Sequence, residues 1–246
     1  MTSPESIAAL FAPGGALRAS INLGNPILAQ RDVTTGEPVG VSVDLAREFA
    51  RRLGVPVELV VFPAAAASVE AVRAEQADIG FFAIDPARGD GLLFSASYVL
   101  IEGSYLVREA SPLTDNEQVD RDGHRISVVA GSAYDLFLTR EIHRAEIVRY
   151  ERAGASIAAA RDGEVNVAAG IRRLLETEAD REPGVRVLPG RFMVIQQAMG
   201  TPASRGEEAR AALADFVEQM KAGGFVADAL SRHGIVGATV APPAEL

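Results

Sequence analysis

An arginine set just past the end of an unbroken apolar run is the side chain of this sequence best placed to do chemistry. Residues 78–88 read Asp78-Ile79-Gly80-Phe81-Phe82-Ala83-Ile84-Asp85-Pro86-Ala87-Arg88. Ile79, Phe81 and Ala83 share one parity and Gly80, Phe82 and Ile84 the other, so both faces are apolar, as in a strand covered on both sides. Pro86 stops the strand and fixes a turn. Arg88 then meets either solvent or an anion, because its planar fork matches a carboxylate with two parallel hydrogen bonds, and ligands of open α/β sheets bind past the strand ends. Ser132 follows Gly131 where a strand gives way to a helix, and its hydroxyl suits the cap of that helix.

Other chemistries find little support. With no cysteine there is no thiolate nucleophile, disulfide framework or cysteine metal site. His124, His143 and His233 lie far apart and form no H-E-x-x-H pattern, so neither a metal nor a cofactor is expected. No G-x-S-x-G, P-loop or dinucleotide fingerprint is present. A net charge of −9 and a pI near 5.0 argue against nucleic acid and against an anionic membrane surface. The chain's 246 residues, 48% hydrophobic, suit a soluble protein of one large or two small domains, and no segment reaches the roughly 18 apolar residues of a membrane span. Met1 to Gly15 offers only the short apolar stretch Ile7–Ala12 after Glu5, less than a secretory leader needs. That leaves cytoplasmic residence and a removed leader both open.

The elements that must position Arg88 and Ser132 follow from periodicity. A strand over 16–23 leads into a loop rich in turn formers, Gly24-Asn25-Pro26 and Thr34-Thr35-Gly36-Glu37-Pro38. Leu45, Phe49 and Leu53 recur at helical spacing over 43–53, with Ser42 or Asp44 as the cap and Gly54 as the stop. A β-branched strand over 55–62, a helix over 68–76 with Val69 and Val72 inward, and the apolar strand before Arg88 complete a β-α-β-α-β series, which predicts a mostly parallel sheet. Tyr98–Val107 is long for a core strand and suits a passage between two lobes. A second series then reads strand 125–129, helix 133–140, strand 146–150, helix 154–161, strand 165–168 and helix 171–179. Strands at 185–188 and 192–199, helices at 207–222 and 225–233, and a fraying tail over 241–246 follow.

In this order the motifs resemble a type II periplasmic solute-binding protein, of the family 3 group that serves polar amino-acid ABC transporters. The resemblance spans about residues 17–237 and rests on Gly40-Val41-Ser42-Val43-Asp44-Leu45, on Ala77-Asp78-Ile79-Gly80 with Arg88 and Phe94-Ser95-Ala96-Ser97-Tyr98, on Val128-Val129-Ala130-Gly131-Ser132, and on Met220-Lys221-Ala222-Gly223-Gly224-Phe225. It implies an α/β, two-lobed fold, with lobe one from residues 16–106 and 198–246, lobe two from 107–197, and an N-terminal extension over 1–15. Hinges are expected near Gly103-Ser104-Tyr105 and Gln196-Gln197-Ala198. The implied function is a non-enzymatic, monomeric, periplasmic clamp that closes on a small carboxylate-bearing ligand and delivers it to the membrane component of an ABC transporter. Within it Arg88 grips the carboxylate, Ser132 offers its hydroxyl and backbone N–H with Ala133 following, and Gly170 lies at the end of the lobe-two strand. The departures are as informative. Asn25 stands where a ligand-stacking aromatic is usual, Phe81 and Ala83 where hydroxyl residues are, and Ile171 where an aspartate pairs with the ligand ammonium. Glu102 is the replacement acid to consider. A dehydratase-like enzyme, with Glu102, His124 or Asp85 as proton donor, and a cytoplasmic ligand sensor are the competing readings.

Overall fold

The computed structural model describes residues 4–244. In chain order it contains α1 (Pro4–Phe11), β1 (Leu17–Asn22), the two-residue strands β2 (Gln30–Arg31) and β3 (Pro38–Val39), α2 (Val41–Leu53), β4 (Val57–Phe62), α3 (Ala65–Arg73), β5 (Ile79–Ala83) and the long β6 (Leu92–Arg108). Next come β7 (Arg125–Val129), α4 (Ala133–Glu141), β8 (Glu146–Tyr150), α5 (Ala153–Arg161), β9 (Val167–Ile171), α6 (Arg172–Arg181) and β10 (Val185–Val187). The chain ends with β11 (Met193–Pro202), α7 (Gly206–Ala222), α8 (Phe225–Arg232) and β12 (Ala238–Val240).

The chain divides into two compact units. Unit one runs through Leu100 and resumes at Gln196, and unit two is Ile101–Ile195. The first crossing thus falls earlier than residue 106, inside β6, and Gly103–Tyr105 belong to unit two. Of the expected extension, the described residues 4–15 belong to unit one, where Phe11 of α1 is fully buried edge-on to Phe49 of α2, ring centroids 4.9 Å apart.

Unit one is a sheet ordered β4-β1-β5-β11, with β1 parallel to β4 and β5, and β11 antiparallel to β5. Every residue of β5 is buried, as its two apolar faces require. Phe82 packs with Val69 and Val72 of α3, while Phe81 meets Tyr98 edge-on at 6.2 Å. Unit two repeats the plan as β8-β7-β9-β6, with β7 parallel to β8 and β9, β6 antiparallel to β9, and β10 on the far edge of β6.

The repetition extends to individual hydrogen bonds. Ser20 Oγ on β1 lies 2.6 Å from Ser68 Oγ on α3, and Ser127 Oγ on β7 lies 2.9 Å from Ser156 Oγ on α5. After α3 the N–H groups of Gln76 and Ala77 both donate to the Ala71 carbonyl, and after α5 those of Glu164 and Val165 both donate to Ala159. The backbone of Arg18 donates to Asp78 Oδ2 at 2.9 Å, and that of Arg125 to Asn166 Oδ1 at 2.8 Å.

Three local expectations change. The N-cap of α2 is Gly40, without a side-chain cap, because Ser42 is buried beside the Tyr98 hydroxyl (3.4 Å) and Asp44 accepts from Arg232 (2.5 Å) and His233 (2.8 Å). Strand β9 extends through Gly170 and Ile171, since Gly170 pairs with Ser104 and Ile171 with Gly103. In the tail, Ala241 is buried and its N–H donates to the Tyr98 carbonyl at 3.0 Å, while residues 245 and 246 lie outside the described residues.

Candidate functional site

On unit one the parallel pairing of β1 with β5, Ala19 opposite Ile79 and Ser20 opposite Gly80, sends the loops that follow both strands off the same edge. The loop after β1 is built by Asn25, which is buried. Its Oδ1 accepts from Ile27 N–H (3.2 Å) and its carbonyl accepts from Leu28 and Ala29, so the side chain shapes the loop where an aromatic was the family expectation. The loop after β5 is a single 3₁₀ turn, Pro86–Arg88, pinned by Asp85, whose Oδ1 accepts from Ala87 N–H at 2.9 Å. That turn folds Arg88 back over the strand end. Its side chain is 5% exposed, and Nη1 donates to the Ala83 carbonyl at 3.4 Å. Arg88 and Ala83 are thus in contact. Burial pulls the Arg88 proton affinity below its ordinary value and the charge of Asp85 opposes this. A guanidinium nonetheless stays ionised in proteins, and in a poorly solvated place its charge-assisted hydrogen bonds gain strength. Phe81, on the same strand, packs edge-on against Tyr98, whose hydroxyl burial keeps protonated well above the usual range, the bond with Ser42 opposing.

On unit two, β7 and β9 are parallel neighbours, so Ser132 and Gly170 also leave one edge. Ser132 caps α4, its Oγ accepting from Asp135 N–H at 3.1 Å. Asp135 returns the arrangement by accepting from Gly131 N–H (2.8 Å), and Arg149 holds it at 3.0 Å. The Ser132 N–H, expected to face a ligand, donates instead to the Val129 carbonyl at 3.1 Å. The helix-start donors without a hydrogen bond among the described residues are those of Ala133 and Tyr134. Burial pushes the Tyr134 hydroxyl up to about 12, against hydrogen bonds to Ser132 and the Val129 backbone. Gly170 leaves little space for a side chain, since a Cβ there would sit 3.1 Å from Leu175 Cδ2 and the leucine would have to give way.

Glu102 is already engaged. It forms ion pairs with Arg191 at 2.6 Å and Arg172 at 3.7 Å, and an acid held between two cations is poorly suited to receive a ligand ammonium. Arg172 is the residue that sequence reasoning overlooked. It follows Ile171 at the start of α6, bonds Glu176 (2.8 Å) and the Gly190 carbonyl (2.7 Å), and puts positive charge next to the place where the family pattern has an acid. Its signal was the Ile171-Arg172-Arg173 run itself. Among the described residues no cluster of His, Cys, Asp and Glu could hold a metal ion, and no helix is long and apolar enough to cross a membrane.

Solved structures place this architecture. A mutant of ArgBP from T. maritima is 18% identical with a TM-score of 0.75, over 93% of this chain and 99% of that one. A solute receptor for L-cysteine of Neisseria gonorrhoeae is 23% identical with a TM-score of 0.76, over 92% of each chain. The ancestral amino acid-binding protein AncCDT-1, a precursor of cyclohexadienyl dehydratase, is 19% identical with a TM-score of 0.75, over 92% of this chain and 97% of that one. At these identities the likeness establishes the two-lobed periplasmic-binding-protein fold. Among curated protein sequences none matches. Residues 24–234, nearly the whole chain, match the family described as bacterial extracellular solute-binding proteins, family 3, and the chain belongs to that family.

Proposed function

We propose that this protein binds a small carboxylate-bearing solute, with Arg88 of unit one gripping the carboxylate and the start of α4 on unit two, through Ser132 Oγ and the Ala133 N–H, contributing further donors. The observation that carries this reading is Arg88 itself: a buried arginine on a pinned turn at a strand end is a fixed anion receptor. Membership of the extracellular solute-binding family supports delivery to an ABC transporter outside the cytoplasmic membrane.

The solute lacks an α-ammonium, or has it satisfied by water. Ile171 offers no charge, and Glu102 and Asp135 are each held by arginines. An ammonium left desolvated without a partner costs several kcal/mol. Calorimetric titration with amino acids and with the matching plain organic acids tests this. The organic acids are expected to bind and the amino acids to bind more weakly, and tight binding that requires the ammonium would refute it. A non-enzymatic role fits the binding proteins it resembles. Because AncCDT-1 is a precursor of a dehydratase, incubation with prephenate is the matching control, and formation of an aromatic product would replace binding with catalysis.

A further inference from the structure

Unit two holds a pocket of about 290 Å³ that none of the residues above explains. It is lined by Arg108 at the end of β6, by the 110–113 loop with Ser111, by His124 just before β7 and by Asn166 just before β9. Strands β7 and β9 are parallel, and β6 runs against β9 with Val107 opposite Val167. The pocket therefore lies at the opposite edge of this sheet from Ser132 and Gly170.

Unit one shows what fills the equivalent place in its own repeat. There Asp78, fully buried just before β5, accepts from the Arg18 backbone (2.9 Å), Arg18 Nε (3.0 Å) and Nη2 (2.8 Å), and Arg205 Nη2 (3.0 Å). Glu75 brings a second carboxylate to Arg205 at 3.5 Å. In unit two Asn166 takes the place of Asp78. Gly163 takes the place of Glu75: both close the turn after the helix, with N–H donated to Val72 and to Ala160 respectively, and both have positive φ, 55° and 82°. The cations, by contrast, are kept. Arg125 still gives its N–H to Asn166 Oδ1 and Nη1 to the Glu164 carbonyl, with Nε turned to Glu146 at 3.2 Å. Arg108 lies over Gly163, where a Cβ would come within 2.5 Å of its Nη1, and among the described residues its guanidinium makes no hydrogen bond or ion pair. Arg186 secures the loop above by donating to the Ser111 and Leu113 carbonyls at 3.0 and 2.7 Å.

We propose that this pocket binds a small oxyanion, of the carboxylate or phosphate class, in the role that the Asp78 carboxylate plays in unit one. Arg108 supplies the charge, Asn166 its Nδ2 donor, since Oδ1 already accepts from Arg125, and Ser111 a hydroxyl. His124 borders the space with its ring fixed by Nδ1 at 3.0 Å from the Val119 carbonyl. The site is separate from Arg88 and stands whether or not the proposed solute is correct.

The test uses inorganic phosphate against the full chain, followed by side-chain amide and guanidinium NMR at constant ionic strength set with chloride. The Asn166 and Arg108 signals are expected to shift saturably in the wild type and equally in Arg88→Ala. Arg108→Gln should weaken the effect about tenfold by removing the charge-assisted bonds. Asn166→Asp, which restores the carboxylate of unit one, should abolish the saturable shift of Arg108 while keeping or raising the melting temperature. Arg108→Gln changes an exposed side chain, so it tests the site even if Asn166→Asp does not fold. The proposal is overturned by the absence of saturable shifts in the wild type, by their loss in Arg88→Ala, or by unchanged binding in Arg108→Gln.

Discussion

At the scale of single residues, two charged side chains show how position decides what a charge does. Arg88 is buried on a turn pinned by Asp85, so its guanidinium is held in one place. Arg88→Ala is expected to weaken solute binding by about 2–5 kcal/mol, the range for removing one partner of a buried, hydrogen-bonded charge pair. Arg88→Lys should recover only part of this, because an ammonium cannot form two parallel bonds to a carboxylate. Calorimetry on the two variants gives the comparison, and an unchanged dissociation constant in Arg88→Ala would remove Arg88 from the site. Glu48 sits between Arg51 (2.7 Å) and Arg52 (2.8 Å) on α2, and the bond from Arg51, then that from Arg52, holds its carboxyl down at about 2 against burial. A carboxyl whose folded value lies below its unfolded one stabilises the fold above the unfolded value, and the contribution is lost as pH falls through the folded value. Wild type should therefore exceed Glu48→Gln in stability near neutrality, by less than about 1 kcal/mol because Arg51 is largely solvated. The gap should close as pH drops from about 4.5 to about 2, which denaturant titrations across that range measure.

At the scale of elements, the start of α2 is set by backbone geometry. Gly40 has φ of 129°, and a Cβ there would lie 2.4 Å from the Leu28 carbonyl oxygen. Gly40→Ala should cost about 2 kcal/mol or more, from the unfavourable φ and the displaced loop; urea unfolding would show a lowered midpoint at constant m value. Much of this level was legible in the sequence. The strands 125–129 and 146–150 and the end of α2 at Gly54 (φ 70°) lie where the patterning places them, because alternation and an αL glycine are local signals. What sequence did not reveal depends on partners distant in the chain. Ser42 and Asp44 look like caps until Tyr98, Arg232 and His233 engage them, and Glu102 looks available until Arg191 and Arg172 are beside it. The Ser132 N–H was assigned to a ligand because nothing in the sequence says that the chain turns it back onto Val129.

At the scale of the whole molecule, the two units are versions of one plan, and the plan makes a prediction of its own. Ser20 and Ser127 make the same buried bonds, each to a serine hydroxyl and to that serine's carbonyl, at 3.0 Å for Ser68 and 2.8 Å for Ser156. Ser20→Ala and Ser127→Ala should each cost about 1 kcal/mol, and the double variant should cost their sum within about 0.5 kcal/mol, as expected for sites without shared partners. A double variant far from additive in thermal unfolding would show that the units are energetically coupled through these positions. The Arg-x-Ser opening shared by residues 18–20 and 125–127 stood in the sequence, but became meaningful only once both arginines were seen to donate backbone N–H to a side chain just before the third strand of each unit.

The interrupted path of unit one also governs how the chain is made. A ribosome delivers all of Ile101–Ile195 before it delivers Gln197–Gly200, the part of β11 that pairs with β5. Unit two can complete its sheet on the nascent chain, while β5, whose residues are all buried in the finished protein, waits with one edge unpaired. An apolar strand with an open edge is a template for pairing with other chains. The interval between the synthesis of Ala83 and that of Gly200 is therefore the period in which this protein most needs a chaperone. Slowing translation within that interval should lower its soluble yield more than the same pause placed after α7.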